Sequence, residues 1–112
     1  MIVLESGDAL KGDASAADVV DYTLYGYLGA LKKQLADGQL DSTAAEIYAP
    51  SGSTDTITTI ILVNTDASAR TINLYVLPSG GTARRIIPKD KSLAAGSSLH
   101  TDGESITVLA NT

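Results

Sequence analysis

The feature that most constrains the fold is a pair of apolar runs between Thr56 and Leu77, separated by a short polar segment. The runs are ITTIILV and TINLYVL, and the segment between them is NTDASAR. In the second run Ile72, Leu74 and Val76 share one face, a period of two that belongs to a strand and not to a helix. The Asn, Asp and Ser of the connector form local hydrogen bonds in turns. The pattern predicts a β-hairpin and an all-β domain.

Turn residues recur along the rest of the chain at intervals of roughly ten residues, which predicts about six to eight strands. Further strands are expected at 2–4, 19–28, 44–49, 84–87, 92–93, 99–101 and 105–109, with a bulge or break at Gly26. For 112 residues this indicates one domain, a single antiparallel β-sandwich of the jelly-roll or Ig-like type. We expect residues 1–18 to form an N-terminal strand and an extended arm, with the sandwich domain at 19–112.

Residues 29–37 allow two interpretations. Leu28, Leu31 and Leu35 have the spacing of a short amphipathic helix, and Gly38 would follow its C-terminus. Against the helix, Gly29 weakens its start and no N-capping residue precedes it. An extended structure is therefore the competing prediction, and the sequence leaves both open.

Composition excludes several classes of function. The formal net charge is −5, so the chain lacks the basic surface that DNA or RNA binding requires. There is no cysteine, which removes disulfides, thiolate metal sites and thiol catalysis. No apolar run reaches the ~20 residues needed to span a bilayer. We therefore expect neither nucleic acid nor membrane among the partners.

Residues that could carry chemistry are few. His100 is the only histidine, and Asp102 is its one acidic neighbour, an arrangement without a recognisable nucleophile. Asp8, Asp13, Asp18 and Asp21 lack the spacing of a calcium loop and are expected to be solvated. Asn64 and Asp66, like Gly80 and Gly81, are typical of turns. We predict no catalytic, cofactor-binding or metal-binding residue, no cofactor, and no enzymatic activity.

Two groups of residues are candidates for interaction instead. They are the tyrosines Tyr22, Tyr25 and Tyr27, and the basic residues Arg84, Arg85, Lys89 and Lys91. Alternation places Tyr25 and Tyr27 on one face and Tyr22 on the other, for packing or for ligand stacking. The basic residues would either keep a sheet edge solvated or contact an acidic surface of another subunit.

The segments that follow one another along the chain resemble a known class of proteins. They are ESGDAL, DYTLYGYLG, QLADGQL, the apolar runs with NTDASAR, NLYVLPSGGT, RRIIPKD, LAAGSSL and DGESI. In this order they are similar to small β-sandwich proteins encoded among the structural genes of tailed bacteriophages. The resemblance covers most of the chain and brings no catalytic residues with it.

The resemblance implies a virion component made in the cytoplasm of the bacterial host. Its specific form is a capsid decoration or cement protein whose partners are copies of itself, in a trimer, and the major capsid protein. Self-association also agrees with a core without Phe or Trp, because a small aliphatic sandwich gains stability by burying more apolar surface. The alternatives are a neck- or tail-associated structural module and a receptor-binding module that recognises glycans.

Overall fold

The computed structural model describes residues 1–111, which form eleven β-strands and no helix. No segment of this part of the chain is therefore a helix able to cross a membrane. The strands are β1 (Ile2–Leu4), β2 (Ala9–Ala14), β3 (Val20–Leu28), β4 (Leu31–Gln39), β5 (Ala45–Tyr48), β6 (Asp55–Asn64), β7 (Arg70–Leu77), β8 (Arg84–Arg85), β9 (Lys91–Leu93), β10 (Ser98–Thr101) and β11 (Ile106–Leu109). The prediction of an all-β fold is confirmed.

The strands form two antiparallel sheets that pack together. Sheet I has the order β11-β10-β6-β3-β4, and β1 also pairs with β6. Sheet II has the order β5-β2-β7-β8, and β9 also pairs with β7. Along the strands, inward-facing aliphatic residues alternate with more polar outward-facing residues, and the inward-facing ones form the core between the sheets. Its fully buried large side chains are Leu4, Leu10, Val20, Leu24, Leu40, Ile57, Ile60, Leu62, Ile72, Leu74, Leu93 and Leu99.

The predicted hairpin between the two apolar runs is wrong, because β6 lies in sheet I and β7 lies in sheet II. The polar connector carries the chain from one sheet to the other. Buried Asn64 stabilises this crossing by donating from Nδ2 to the carbonyl oxygens of Ser68 and Leu93, each at 2.9 Å. Asp66 accepts a hydrogen bond from Arg70 Nε at 2.7 Å. Turn residues stabilise a crossing as well as a hairpin, so the local pattern could not separate the two.

The predicted N-terminal arm also differs from the structure. Ala9–Ala14 is strand β2, an interior strand of sheet II that pairs with β5 on one side and β7 on the other. Leu10 is fully buried and Ala14 nearly so. The acidic residues misled the prediction, because Asp13 lies on the outward face of a strand whose inward face is apolar, while Asp8 and Asp18 lie in the loops on either side of it.

The ambiguous segment is extended. Residues 31–39 form β4, which pairs with β3 in register from Leu28 opposite Leu31 to Asp21 opposite Gln39. The two-residue connection has Gly29 at φ +59°, which matches the first central position of a type II′ hairpin turn. Glycine favours this conformation, so the residue that weakened a helix start is instead a hairpin signal.

The predicted irregularity of β3 is confirmed, and its cause lies in the neighbouring strands. The β3–β6 register shifts between Tyr25 and Gly26 because β6 contributes one extra residue, Thr58. This bulge allows Ile57 and Ile60 to face the core together. A Cβ on Gly26 would lie 1.9 Å from the carbonyl oxygen of Thr56, so glycine is needed for the close approach of β6.

A buried carboxylate joins the β3–β4 hairpin to sheet II. Asp55, fully shielded from solvent, accepts hydrogen bonds from the Gly29 amide at 2.9 Å, from Ser53 Oγ at 2.6 Å and from the Tyr48 hydroxyl. Burial alone would raise the pKa of Asp55, but these hydrogen bonds outweigh it and hold the pKa below its ordinary value. Burial and the bond to Asp55 raise the pKa of Tyr48 to about 12.

Candidate functional site

A basic edge runs along the outer strands of sheet II and comprises Arg84, Arg85, Lys89 and Lys91. Arg84 and Arg85 form β8, while Lys89 lies in the loop that leads to β9. These three residues are exposed, and Lys91 is half-buried. Two ion pairs occur among the described residues, and neither involves the basic edge. Within residues 1–111 its positive charges therefore have no carboxylate partner.

A cluster of polar side chains centred on Asn73, the polar staple, supports the basic edge. Asn73 is only 5% exposed although it lies on the outward side of β7. Its Nδ2 donates to Asp13 Oδ1 and to Asp90 Oδ1, both at 2.9 Å. Its Oδ1 accepts from the Asp90 amide at 2.9 Å and from Arg85 Nε at 3.3 Å. The single amide therefore ties β2 and the loop after β8 to β7.

Tyr75 completes the polar staple. Its hydroxyl donates to Asp13 Oδ2 at 2.7 Å, and the Arg85 guanidinium lies 5.2 Å from the centre of its ring. Burial, reinforced by the bond to Asp13, raises the pKa of Tyr75. Asp13 is therefore a hydrogen-bond acceptor in a packed network, and the expectation that it is merely solvated is wrong. The staple holds Arg85 in one orientation at the sheet edge.

The three tyrosines of β3 lie on the faces that their alternation predicts. Tyr25 and Tyr27 point outward from sheet I and are 44% and 37% exposed. Tyr22 packs against the core, and its pKa is raised by burial and by the nearby Asp37 carboxylate. Tyr22 also borders a hollow of about 330 Å³ at the far end of β3 and β4. The tyrosines therefore do not form one surface.

On the β6 side, the outward face of sheet I places uncharged residues beside the two exposed tyrosines, while on the β4 side Tyr27 is opposite Lys32 and Tyr25 is opposite Gln34. Tyr25 is the register partner of Thr59, and Tyr27 is the register partner of Thr56. Val3 of β1 continues the second row on the other side of Thr56. Residues opposite one another on neighbouring strands have Cβ atoms about 5 Å apart, so these side chains are neighbours. The part of this face between β3 and β1 thus carries rings, methyl groups and hydroxyls.

A small notch opens in this face because two strands share one edge of β6. β1 pairs with residues 55–57 and β10 with residues 60–63, so that Thr58 and Thr59 have no strand partner on that side. The notch has a volume of about 180 Å³. It is lined by Thr58, Thr59, His100, Thr101, Asp102, Ser105 and Thr107. Hydroxyl groups therefore dominate its wall.

The loop between β10 and β11 forms one side of the notch. Asp102 Oδ1 accepts hydrogen bonds from the amides of Glu104 at 2.8 Å and Ser105 at 2.9 Å, and these bonds lower the pKa of Asp102. The amino group of Met1 contacts the Glu104 carboxylate at 3.0 Å. His100 lies in β10, where Nε2 is 3.2 Å from Ser98 Oγ. The side chain is thus placed by a neighbouring hydroxyl.

Sequence reasoning missed both the polar staple and the notch. Asp13, Asn73 and Asp90 are far apart in sequence and meet only through sheet pairing, so no local spacing could reveal them. The notch depends on where β1 ends and β10 begins beside β6. The only local signal was the Thr58-Thr59 pair, which breaks the alternation of β6.

No group of three or more His, Cys, Asp or Glu side chains that could hold a metal ion is present in residues 1–111. The chain matches no family model, and no curated protein or solved structure is significantly similar to it.

Proposed function

We propose that this chain is a structural protein of a tailed-bacteriophage virion, and specifically a decoration or cement protein of the capsid. In this role it packs against copies of itself and against the major capsid protein, and it stabilises the head by adding contacts between subunits. The sequence resemblance motivates the proposal. We also propose that the sandwich belongs to the jelly-roll or Ig-like type, with which the repeated passage of the chain between its two sheets agrees.

The observation that carries the proposal is the basic edge. The chain has a formal net charge of −5, yet four of its eight Lys and Arg residues lie on this one edge. Among the described residues none of the four is neutralised by an ion pair. Complementary charge steers association and fixes the orientation of partners. The basic edge therefore suits an acidic surface, such as that of a coat subunit or of a neighbouring copy.

The polar staple makes this edge suitable for docking because it orders the edge before a partner arrives. Arg85 is held by Asn73 and by the ring of Tyr75, so little side-chain freedom remains for it to lose on binding. Arg84 lies beside it on β8 and Lys89 on the stapled loop. A docking edge that is already ordered binds more tightly than a mobile one of equal charge.

A capsid-binding experiment tests the proposal. Purified protein is mixed with assembled capsids that lack it, and the bound fraction is measured by sedimentation. We expect the R84E/K89E double variant to bind at least tenfold more weakly, because both substitutions place like charges against an acidic surface. Binding of the unmodified protein should also weaken as salt is raised.

The matched control is the K32E/K33E double variant. Lys32 and Lys33 are exposed on β4 at the edge of sheet I, and their replacement changes the net charge by the same amount. This variant should bind nearly as well as the unmodified protein. If both double variants lost capsid binding equally, the effect would come from net charge alone, and the basic edge would not be the docking site. A protein that stays monomeric in light scattering and binds neither capsids nor tails would overturn the structural role itself, while a dilution-stable trimer would support it.

Apart from a neck- or tail-associated structural module, the second candidate is a receptor-binding module that recognises a glycan. The exposed rings of Tyr25 and Tyr27 favour it, since exposed aromatic rings provide flat surfaces against which sugars stack. Binding to tails in place of capsids would select the neck- or tail-associated module, and saturable binding of a glycan would select the receptor-binding module.

A further inference from the structure

We propose that the notch in sheet I binds one unit of a neutral saccharide, with Tyr25 as the stacking surface beside it. This inference concerns the glycan-binding candidate function but does not depend on capsid docking, which uses the opposite sheet. The notch and the basic edge lie on different sheets, so a docked protein could leave the notch open to solvent.

The chemistry of the wall matches a sugar. Thr58 and Thr101 already use their hydroxyls, which donate to the carbonyl oxygens of Tyr25 and Ser105. The hydroxyls of Thr59 and Thr107 make no hydrogen bond to another part of residues 1–111, although both line the notch. A hydroxyl both donates and accepts, and so does each hydroxyl of a sugar ring. The two free threonines therefore offer partners that a polyol can satisfy.

The aromatic ring supplies the second half of a saccharide site. Tyr25 does not line the notch itself, but it is the register partner of Thr59, which does, and its ring projects from the same face beside that threonine. A sugar presents hydroxyls at its edge and C–H groups on its face, so it can meet the threonines and the ring together. Tyr27 lies two residues further along β3, opposite Thr56, which does not line the notch.

The size and charge of the notch limit the class of ligand that it can bind. A volume of about 180 Å³ lies below the roughly 300–1,000 Å³ of pockets for drug-sized ligands, so the notch admits one sugar unit and not a buried oligosaccharide. The carboxylate of Asp102 lines the notch and disfavours anionic sugars. We therefore expect neutral hexoses to bind with a dissociation constant on the order of millimolar and acidic sugars to bind more weakly.

Titration of the free protein by nuclear magnetic resonance tests this inference. Glucose, galactose and N-acetylglucosamine are added separately, and the amide shifts of Thr59, His100 and Thr107 are followed. We expect saturable shifts confined to the notch. A titration in which no hexose produces such shifts overturns the proposal, as does an equal response to sialic acid or to glycerol.

Variants then separate stacking from general effects on the fold. Tyr25→Ala should abolish the saturable shifts, Tyr25→Phe should retain them, and the matched control Tyr27→Ala should leave them unchanged. Thr107→Val removes a single hydroxyl at nearly constant shape and should weaken binding about three- to tenfold. Because no capsid is present, a negative result here leaves the docking proposal intact. Loss of binding in Tyr27→Ala alone would place the site elsewhere on sheet I and would overturn the notch.

Discussion

The outward faces of the two sheets use polar side chains in opposite ways. On sheet II, Asp13, Asn73, Tyr75 and Asp90 bond to one another, and the result is an ordered basic edge. On sheet I, the tyrosine rings and several threonine hydroxyls are left without partners within the described chain. The polar staple of sheet II satisfies its polar groups internally, while the outward face of sheet I keeps several of its own available.

This difference means that bonded polar groups contribute to stability, while groups without partners remain available for recognition. A hydrogen-bonded network costs stability when one member is removed, because the remaining partners lose their bonds. An exposed ring or hydroxyl can be replaced at little cost to folding. We therefore expect substitutions within the polar staple of sheet II to lower stability, substitutions of the exposed basic residues beside it to weaken docking, and outward substitutions on sheet I to alter binding alone. Backbone contacts are the exception on sheet I, as Gly26 shows.

The largest expected effect on stability comes from a comparison of close backbone contacts in the two sheets. Gly26→Ala would place a Cβ 1.9 Å from the Thr56 carbonyl oxygen, so β3 and β6 must separate at the centre of sheet I. In sheet II, a Cβ on Gly12 would lie 3.1 Å from Leu40 Cδ2, a contact that a small movement relieves. We expect Gly26→Ala to lower the free energy of unfolding by about 4 kcal/mol or to prevent folding, and Gly12→Ala to lower it by about 1 kcal/mol. Denaturant unfolding measures both, and equal losses would contradict the close approach of β6.

The next effect concerns the buried carboxylate of sheet I. Asp55→Asn replaces an acceptor of three hydrogen bonds by an amide and should lower the free energy of unfolding by about 3 kcal/mol. Because the folded pKa of Asp55 is depressed, its contribution is present above the unfolded pKa of about 3.9 and is lost as pH falls through the folded pKa. The variant should lose less stability than the unmodified protein between about pH 4 and pH 2. Thermal unfolding across this range is the measurement, and parallel curves would contradict the expectation.

A smaller effect compares neutral polar groups on the two faces. Asn73→Ala removes four hydrogen bonds of the polar staple and should cost about 2 kcal/mol. Thr59→Val on the outward face of sheet I should change stability by less than about 0.5 kcal/mol. Chemical unfolding of both variants decides whether the faces differ as proposed. A loss in Thr59→Val as large as that in Asn73→Ala would remove the distinction.

The smallest effect appears at alkaline pH. The folded pKa of Tyr48, about 12, lies above the ordinary tyrosine value, so its contribution is complete below about pH 10 and is lost as pH rises toward 12. Tyr48→Phe should be about 1 kcal/mol less stable at neutral pH and should lose less between pH 10 and 12. The difference in phenolate absorbance between the unmodified protein and Tyr48→Phe, followed during titration, gives this pKa. A Tyr48 that ionises near pH 10 would contradict the bond to Asp55.

Local patterns predicted much of the fold. Period-two alternation and turn residues located most strands, including the short edges at β8 and β9 and the closing strand β11. Alternation also separated Tyr22 from Tyr25 and Tyr27, because the faces of a strand depend only on residue parity. The hairpin turn at Gly29 was readable as well, but its flanking leucines also fitted a helical period.

Pairing over long distances could not be predicted in the same way. The connector Asn64–Arg70 has the composition of a hairpin turn, and only the pairing of β6 and β7 with strands of different sheets shows that it changes sheets. Asp13 was assigned to a solvated arm because its partners Asn73 and Tyr75 are about sixty residues away. The candidate surfaces depend on such pairings, so the sequence could name the basic residues but not the network that orders them.

The passage of the chain between the sheets also has a consequence for folding. Six of the ten links between successive strands, β1–β2, β2–β3, β4–β5, β5–β6, β6–β7 and β9–β10, connect different sheets. Neither sheet is therefore built from a continuous half of the polypeptide, and each draws its strands from most of the length of the chain. Such non-local topologies fold slowly, on the order of milliseconds to seconds, and in one cooperative step. A ribosome must release nearly all of this chain before any stable part of it exists.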